Sequence, residues 1–445
     1  MDTIREYLTF MRSRGLLLDI ERTVRREDIP ELIDRLSGRA MVLRFGQVEG
    51  YGCSVVANLV PSHEVLGLLL ASNDPYALFL ERIRDNRDKV RVERDDSLTS
   101  VDMKERDLLA FLPMLRHCEK DSAPFITTGI ISAVDPDSGQ VGRGIHRMEF
   151  RGGNRLGVTL INPPLADIYR KYEARGERMA LCATLGVDPL LFLSMALKVS
   201  PERDKLEVAG ALKGSGVKVM QCFDSAIDVP AGAEFYLEGY VDSGDMRRDG
   251  PLGEISGYYL SMEKTPTFVV NRLSHRRDPF YHALLPIGPE GDTYLTFVSR
   301  AHVQDSVKKL FPFIGDISFM PKSFGSSVVV SVGSAERSKI RSLILSMMAF
   351  PMIKKVVVVD EDIDCRNLAD VEWAVVTRCE ASRDILIVPG LQGQPIDPAA
   401  PLGLGVAKIG IDATIQGKGM EERARVARGE PVRIEELMKS LGGAG

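Results

Sequence analysis

Residues 233–259 read AEFYLEGYVDSGDMRRDGPLGEISGYY, and this stretch decides how the chain is divided. Its opening, AEFYLEGYV, has the aromatic and apolar content of a β-strand. Its close, RRDGPLGEISGYY, sets Asp249 and Glu254 five residues apart across a turn containing Gly250, Pro251 and Gly253. Two carboxylates on such a turn are either a polar connection between strands or an acid/base pair.

Working outward, short β-like runs recur from about 120 to 300: FITTGIISAV, IHRMEF, RLGVTLI, KVMQCF, TFVVNRLS and FYHALL. Only PPLADIYRKYEARG and DPLLFLSMALKV interrupt them as helical segments. Many strands at this spacing predict a barrel or sandwich. Before them, helices (residues 1–22, SHEVLGLLLAS and DPYALFLERIRDNRDK) flank two strands in AMVLRFGQVEGYGCSVVANLV, with Asp74 and Pro75 opening one helix. After them, VQDSVKKLF, SSVVVSVG, ERSKIRSLILSMMAF, IKKVVVVDEDID and DVEWAVVTR return to helix–strand alternation. The run KKVVVVDEDID reads as a buried parallel strand with an acidic end. Beyond about 395 the chain is Gly- and Pro-rich, then helical in MEERARVARG and RIEELMKSLG. The expectation is an α/β multidomain chain: an N-terminal α/β region (1–115), a central β-barrel (116–300) and a C-terminal α/β domain (301–445).

Composition excludes several classes. The 445 residues are 44% hydrophobic and 27% charged, with a formal net charge of −5. That is globular and offers no broad basic surface for nucleic acid. No run of about 18 uncharged apolar residues predicts a membrane span. MDTIREYLTFMRSRGLLLDIER lacks the apolar core of a signal peptide. The six cysteines include no CxxC, no Cys/His pair has zinc-ligand spacing, and a cytoplasmic protein with reduced thiols is expected. There is neither a GxGxxG opening a helix nor a GxxxxGK[ST].

Single residues are unspecific. His146 and Arg147 sit in a strand-like run, on opposite faces. Glu207, in KLEVAGALKG, reads as a solvated charge near a strand start. Lys408 follows a Gly-rich loop, where a lysine meets a phosphate or water.

The order of the longer runs is more specific. GIHRM, EVAGAL, DVPAGAEFYLEG, DGPLGEISGYY, VVVVDEDID, DVEWAVVTR and AKIGIDAT together resemble the UbiD-type decarboxylases over most of the chain, closer to their archaeal branch. The resemblance implies a reversible, non-oxidative carboxy-lyase of α,β-unsaturated or aromatic acids. It implies prenylated FMN, or FMN itself, as cofactor, and a flavin prenyltransferase as its supplier. It further implies a central split, flavin-reductase-like barrel, and homodimers or homohexamers formed through the C-terminal domain. The catalytic trio maps onto Arg147, Asp249 and Glu254. In these roles Arg147 grips the substrate carboxylate, Asp249 holds the arginine and Glu254 donates the proton. Cofactor contacts map onto Arg143, Ile145, His146, Met195, Glu207 and Lys408.

Departures stand beside the matches. The family's divalent metal, such as Mn2+, has Asn, His and Glu ligands, and a K+ accompanies it. Glu207 matches the Glu. Gly142 stands where the Asn is expected, and Asn162-Pro163 where the His is expected. Asp249 is one methylene shorter than the usual Glu. Three readings follow: an active decarboxylase whose Arg143 and Lys408 hold the phosphate in place of the metal, an enzyme using plain FMN for other chemistry, or a non-catalytic subunit.

Overall fold

The valines of the predicted parallel strand explain the C-terminal architecture. Lys355–Asp360 lies between Ser327–Val332 and Val406–Ala413, parallel to both. Val356 and Val358 enter one apolar cluster with the helix Arg337–Met348, while Val357 and Val359 enter a second on the opposite face. Burial on both faces removes the alternation a half-exposed strand would show. Each such valine contributes about 1.5 kcal/mol. Ile314–Phe319 and Ile385–Leu391 complete the five strands, each antiparallel to its neighbour.

This computed structural model describes residues 1–415 except 96, 201, 395 and 401–404, together with 423, 424, 426, 427, 433, 434 and 437. The predicted tail helices MEERARVARG and RIEELMKSLG fall largely outside the described residues.

The centre is an antiparallel, strongly curled half-barrel sheet. Its order is Phe125–Ile126, Met148–Phe150, Arg155–Val158, Tyr259–His275, Phe235–Gly253, Met179–Leu185, Ile130–Val134, Val141–Ile145, with Thr99–Asp102 added against Tyr259–His275. Phe235–Gly253 and Tyr259–His275 form one long hairpin. Its register shifts four times, between Glu238/Gly239, Asp242/Met246, Arg247/Asp249 and Asp249/Leu252. Bulges of this kind bend a strand and re-aim its side chains, which curls the sheet and turns Asp249 inward.

A four-stranded sheet of Leu17–Ile20, Val42–Phe45, Ser54–Ala57 and Phe280–His282 carries the N-terminal helix Ile4–Ser13, whose Ile4, Tyr7, Leu8 and Met11 pack on Val42 and Val56. The two predicted helices that follow are His63–Leu70 and Pro75–Arg82, the latter capped by Asp74 on the Ala77 amide. No helix among the described residues is long and apolar enough to cross a membrane.

Four local expectations are corrected. FYHALL joins the N-terminal sheet rather than the half-barrel. KVMQCF contributes Lys218–Gln221 to a separate sheet with Val90–Arg91 and Asp228–Pro230. Glu207 lies in the first turn of a helix, Lys205–Lys213, not near a strand start. That helix is buried almost all round, so its sequence shows no amphipathic period. Finally, Asp249 is not on a loop: it lies in a bulged strand, opposite Met262.

Candidate active site

His146 and Arg147 occupy the break between Val141–Ile145 and Met148–Phe150. From there Arg147 reaches the long hairpin. Its Nε and Nη2 both donate to Asp249 Oδ1, at 2.9 and 2.6 Å, and its Nη1 donates to Glu254 Oε1 at 2.8 Å. The side chains are 10% (Arg147), 0% (Asp249) and 27% (Glu254) exposed. Asp249 is thus the fixed partner and Glu254 the accessible one. Asp249 Oδ2 is buried and has no hydrogen-bond partner among the described residues.

The corner between the two acids is held from outside the hairpin. Asp121 Oδ1 accepts from the Gly253 amide at 2.9 Å, and its Oδ2 accepts from the His117 and Cys118 amides, each at 2.8 Å. Glu149 Oε1 accepts from the Gly250 amide at 3.2 Å and from the Ser122 hydroxyl. The Ser122 amide donates to Pro251 O at 2.8 Å. Burial raises the Glu149 carboxyl above its ordinary pKa, the nearby Asp249 charge adds to this, and the Ser122 and Gly250 hydrogen bonds oppose it. Gly250 has φ of +88°, and a Cβ there would meet Leu260 O at 2.7 Å. A Cβ on Gly253 would stand 2.4 Å from Cys118 Sγ. Both positions therefore demand glycine. Asp121 and Glu149 carry no motif, and nothing in the sequence reading selected them.

His146 points the other way. Its Nδ1 lies 2.7 Å from Thr159 O. A carbonyl only accepts, so Nδ1 carries the proton and Nε2 is left as an acceptor. Burial pushes the ring's pKa down and keeps it neutral. Thr159 Oγ1 is buried without a partner among the described residues. Ile145 pairs with Ile130 at the strand's end.

The remaining expected contacts separate into three groups. Arg143, 1% exposed, donates from Nε to Asp204 Oδ1 at 2.9 Å and from Nη1 to Ser132 Oγ at 2.8 Å, so its charge is taken up inside the fold. Asp204 also caps the helix Lys205–Lys213 and accepts from Lys89 Nζ at 2.8 Å. The nearest cation to Glu207 is that same Lys89, at 3.9 Å. Lys408 belongs to the C-terminal sheet, where its ammonium donates to Met348 O and Phe350 O at 2.8 and 2.7 Å. Met195 is buried, and its carbonyl accepts from Lys205 Nζ at 2.8 Å.

Lys205 is the residue the sequence reading passed over. It is 8% exposed, and the Met195 carbonyl is the one hydrogen-bond partner recorded for its ammonium among the described residues. Burial pushes its pKa down to about 8, so it is still charged at neutral pH. That charge is felt at His146, where it disfavours the imidazolium.

The expected metal set does not fit. A Cβ on Gly142 would fall 2.4 Å from Ile168 Cδ1 and 3.2 Å from Pro164 Cγ, so apolar atoms fill the place of an asparagine side chain. Asn162 and Pro163 are exposed. Among the described residues no group of three or more His, Cys, Asp or Glu side chains is placed to hold a metal.

Comparison with known proteins bears on the family and the fold. Residues 90–289 match the model of the 3-octaprenyl-4-hydroxybenzoate carboxy-lyase Rift-related domain, and residues 292–413 that of the C-terminal domain of the same enzymes. An anhydromevalonate phosphate decarboxylase of Methanothermobacter thermautotrophicus is 33% identical over 72% of this chain and 76% of its own. One from Methanosarcina mazei is 30% identical over 93% and 96%. Among solved structures, the UbiD-class enzyme HmfF from Pelotomaculum thermopropionicum in complex with FMN superposes with a TM-score of 0.87 at 28% identity, covering 95% of this chain and 97% of that one. An evolved dimeric form of HmfF in complex with prFMN gives a TM-score of 0.85 at 26% identity, over 97% and 100% of the two chains.

Proposed function

The chain belongs to the UbiD family of carboxy-lyases, and on that premise we propose that it decarboxylates an α,β-unsaturated or aromatic carboxylic acid, reversibly and with a flavin bound. The observation that carries the reading is the three-residue contact of Arg147 with Asp249 and Glu254. A flavin of the kind bound by the HmfF structures suits the residues present. Asp249 Oδ2 and Thr159 Oγ1 are buried and unpartnered, and Lys205 brings an ammonium to the His146 side. Prenylated FMN supplied by a flavin prenyltransferase, a homo-oligomer and a cytoplasmic setting complete the proposal.

When bound, the flavin supplies an electron sink for the pair left on carbon as CO2 departs. The chain's own residues do the rest. Asp249, wholly buried against Arg147, fixes the guanidinium plane. The Nη1 hydrogen bond to Glu254 is the one a substrate carboxylate displaces, because Glu254 is the exposed member of the pair. Released from the guanidinium, Glu254 loses its charge partner and takes up a proton. It then gives that proton to the carbon that lost CO2, and solvent reprotonates it. In the carboxylation direction the same carboxylate accepts the proton.

The test is co-expression with a flavin prenyltransferase, followed by absorbance and mass spectra of the purified protein. The purified protein is then assayed for CO2 release against a panel of unsaturated and aromatic acids, with and without a phosphate group. Bound flavin and turnover of at least one acid are expected. A protein that emerges without flavin under these conditions overturns the proposal.

A further inference from the structure

We propose that Lys205 holds the phosphate of the flavin in place of a divalent metal, so that this chain binds its cofactor without a metal ion. The inference rests on the flavin reading above and goes beyond it. Lys205 occupies the first position of the helix Lys205–Lys213, after the Asp204 cap. That end of a helix carries the positive end of its dipole and favours anions. A buried lysine there is unfavourable twice over, through burial and through the dipole. Among the described residues no carboxylate relieves it: Asp204, one residue away, is engaged by Arg143 and Lys89, and the Lys205 ammonium donates to the Met195 carbonyl. A desolvated charge with one carbonyl partner calls for a counter-ion, and the described residues do not provide one.

The neighbours narrow what that counter-ion is. His146 beside it is neutral and adds no competing charge, and the buried Thr159 hydroxyl, a donor, is without a partner among the described residues. A hydroxyl donor and a buried ammonium at the positive end of a helix suit a phosphate monoester. The alternatives for charge at this place are closed. Arg143 is neutralised by Asp204, Glu207 faces Lys89, and the space a metal-binding asparagine needs at position 142 is filled by Ile168 and Pro164. The phosphate has two sources, the flavin itself or a phosphorylated substrate, and riboflavin separates them because it is a flavin without the phosphate.

The experiment measures FMN and riboflavin binding by fluorescence quenching on the full chain. The wild type is titrated in EDTA and again in excess Mn2+, with metal content measured by elemental analysis. Expected are the same FMN affinity in both media and far less than one metal per chain. Lys205→Met should weaken FMN tenfold or more while leaving riboflavin binding unchanged and the melting temperature no lower than that of wild type. FMN binding that chelation abolishes and Mn2+ restores overturns the inference and leaves the flavin reading standing. So does a Lys205→Met protein that binds FMN as tightly as wild type. Weakening of riboflavin and FMN alike also overturns it, because the loss is then structural. A wild type that binds neither flavin removes the inference and the reading together.

Discussion

Arg147 and Lys205 are buried cations that the fold compensates in opposite ways. Arg147 meets two carboxyl groups, one buried and one accessible, so its cluster has one acid more than the guanidinium needs. Among the described residues Lys205 meets one carbonyl and no carboxylate, so its surroundings carry an excess positive charge. The first arrangement has an acid to spare, which is what proton delivery requires. The second has a charge to be answered, which is what anion binding requires. Lys408 provides a control for the second: it is as deeply buried, but two carbonyls hold its ammonium within the C-terminal sheet.

The sharpest way to break this contrast is Glu254→Gln. It removes the proposed proton donor while leaving Asp249 on the arginine, and turnover should fall about 10^3-fold with flavin still bound. Deuterium uptake into product should fall with it, and a loss under tenfold would place the proton source elsewhere. Asp249→Ala attacks the fixed partner instead. Stability should drop by about 3 kcal/mol, because Arg147 then loses its buried counter-charge, and a urea midpoint reads this directly. Gly253→Ala tests the clamp on the corner. The new Cβ meets Cys118 Sγ, at a cost of about 1–3 kcal/mol, and adding Cys118→Ala should return much of it in a double-mutant cycle.

The smallest effect concerns the lysine control. Burial pushes the Lys408 pKa down to about 8, below the roughly 10.4 of an unfolded lysine. Between those values the unfolded chain binds more protons than the folded one, so stability rises with pH. Burial of the charged form therefore costs most below pH 8, and the cost fades as pH rises toward 10. Wild type should gain about 1–2 kcal/mol on Lys408→Met across that interval, measured as the difference between their denaturation midpoints. An unchanged difference would mean the two carbonyls compensate the charge in full.

Much of this was legible in the chain. The valine run was readable because both faces of that strand are buried, and the two acids because glycine and proline punctuate the corner between them. The Lys205–Lys213 helix was misread because burial on all sides erases the period that marks a helix. KVMQCF and FYHALL were read as strands correctly, but their partners lie in other sheets. A strand pattern encodes extension and face, and it is silent about which edge the strand will join.

The sequence by itself determined the α/β–β–α/β layout and the order of Arg147, Asp249 and Glu254, because periodicity, turn residues and motif order are local properties of a chain. Only the tertiary structure decided which charges are answered. Asp121 reaches Gly253 across 132 residues, Ile168 fills the space beside Gly142, and Asp204 takes the charge of Arg143 from 61 residues away. Whether a buried ion is satisfied depends on desolvation and on partners brought from distant segments. No local pattern records either, so Glu207 stood out in the sequence and Lys205 stands out in the fold.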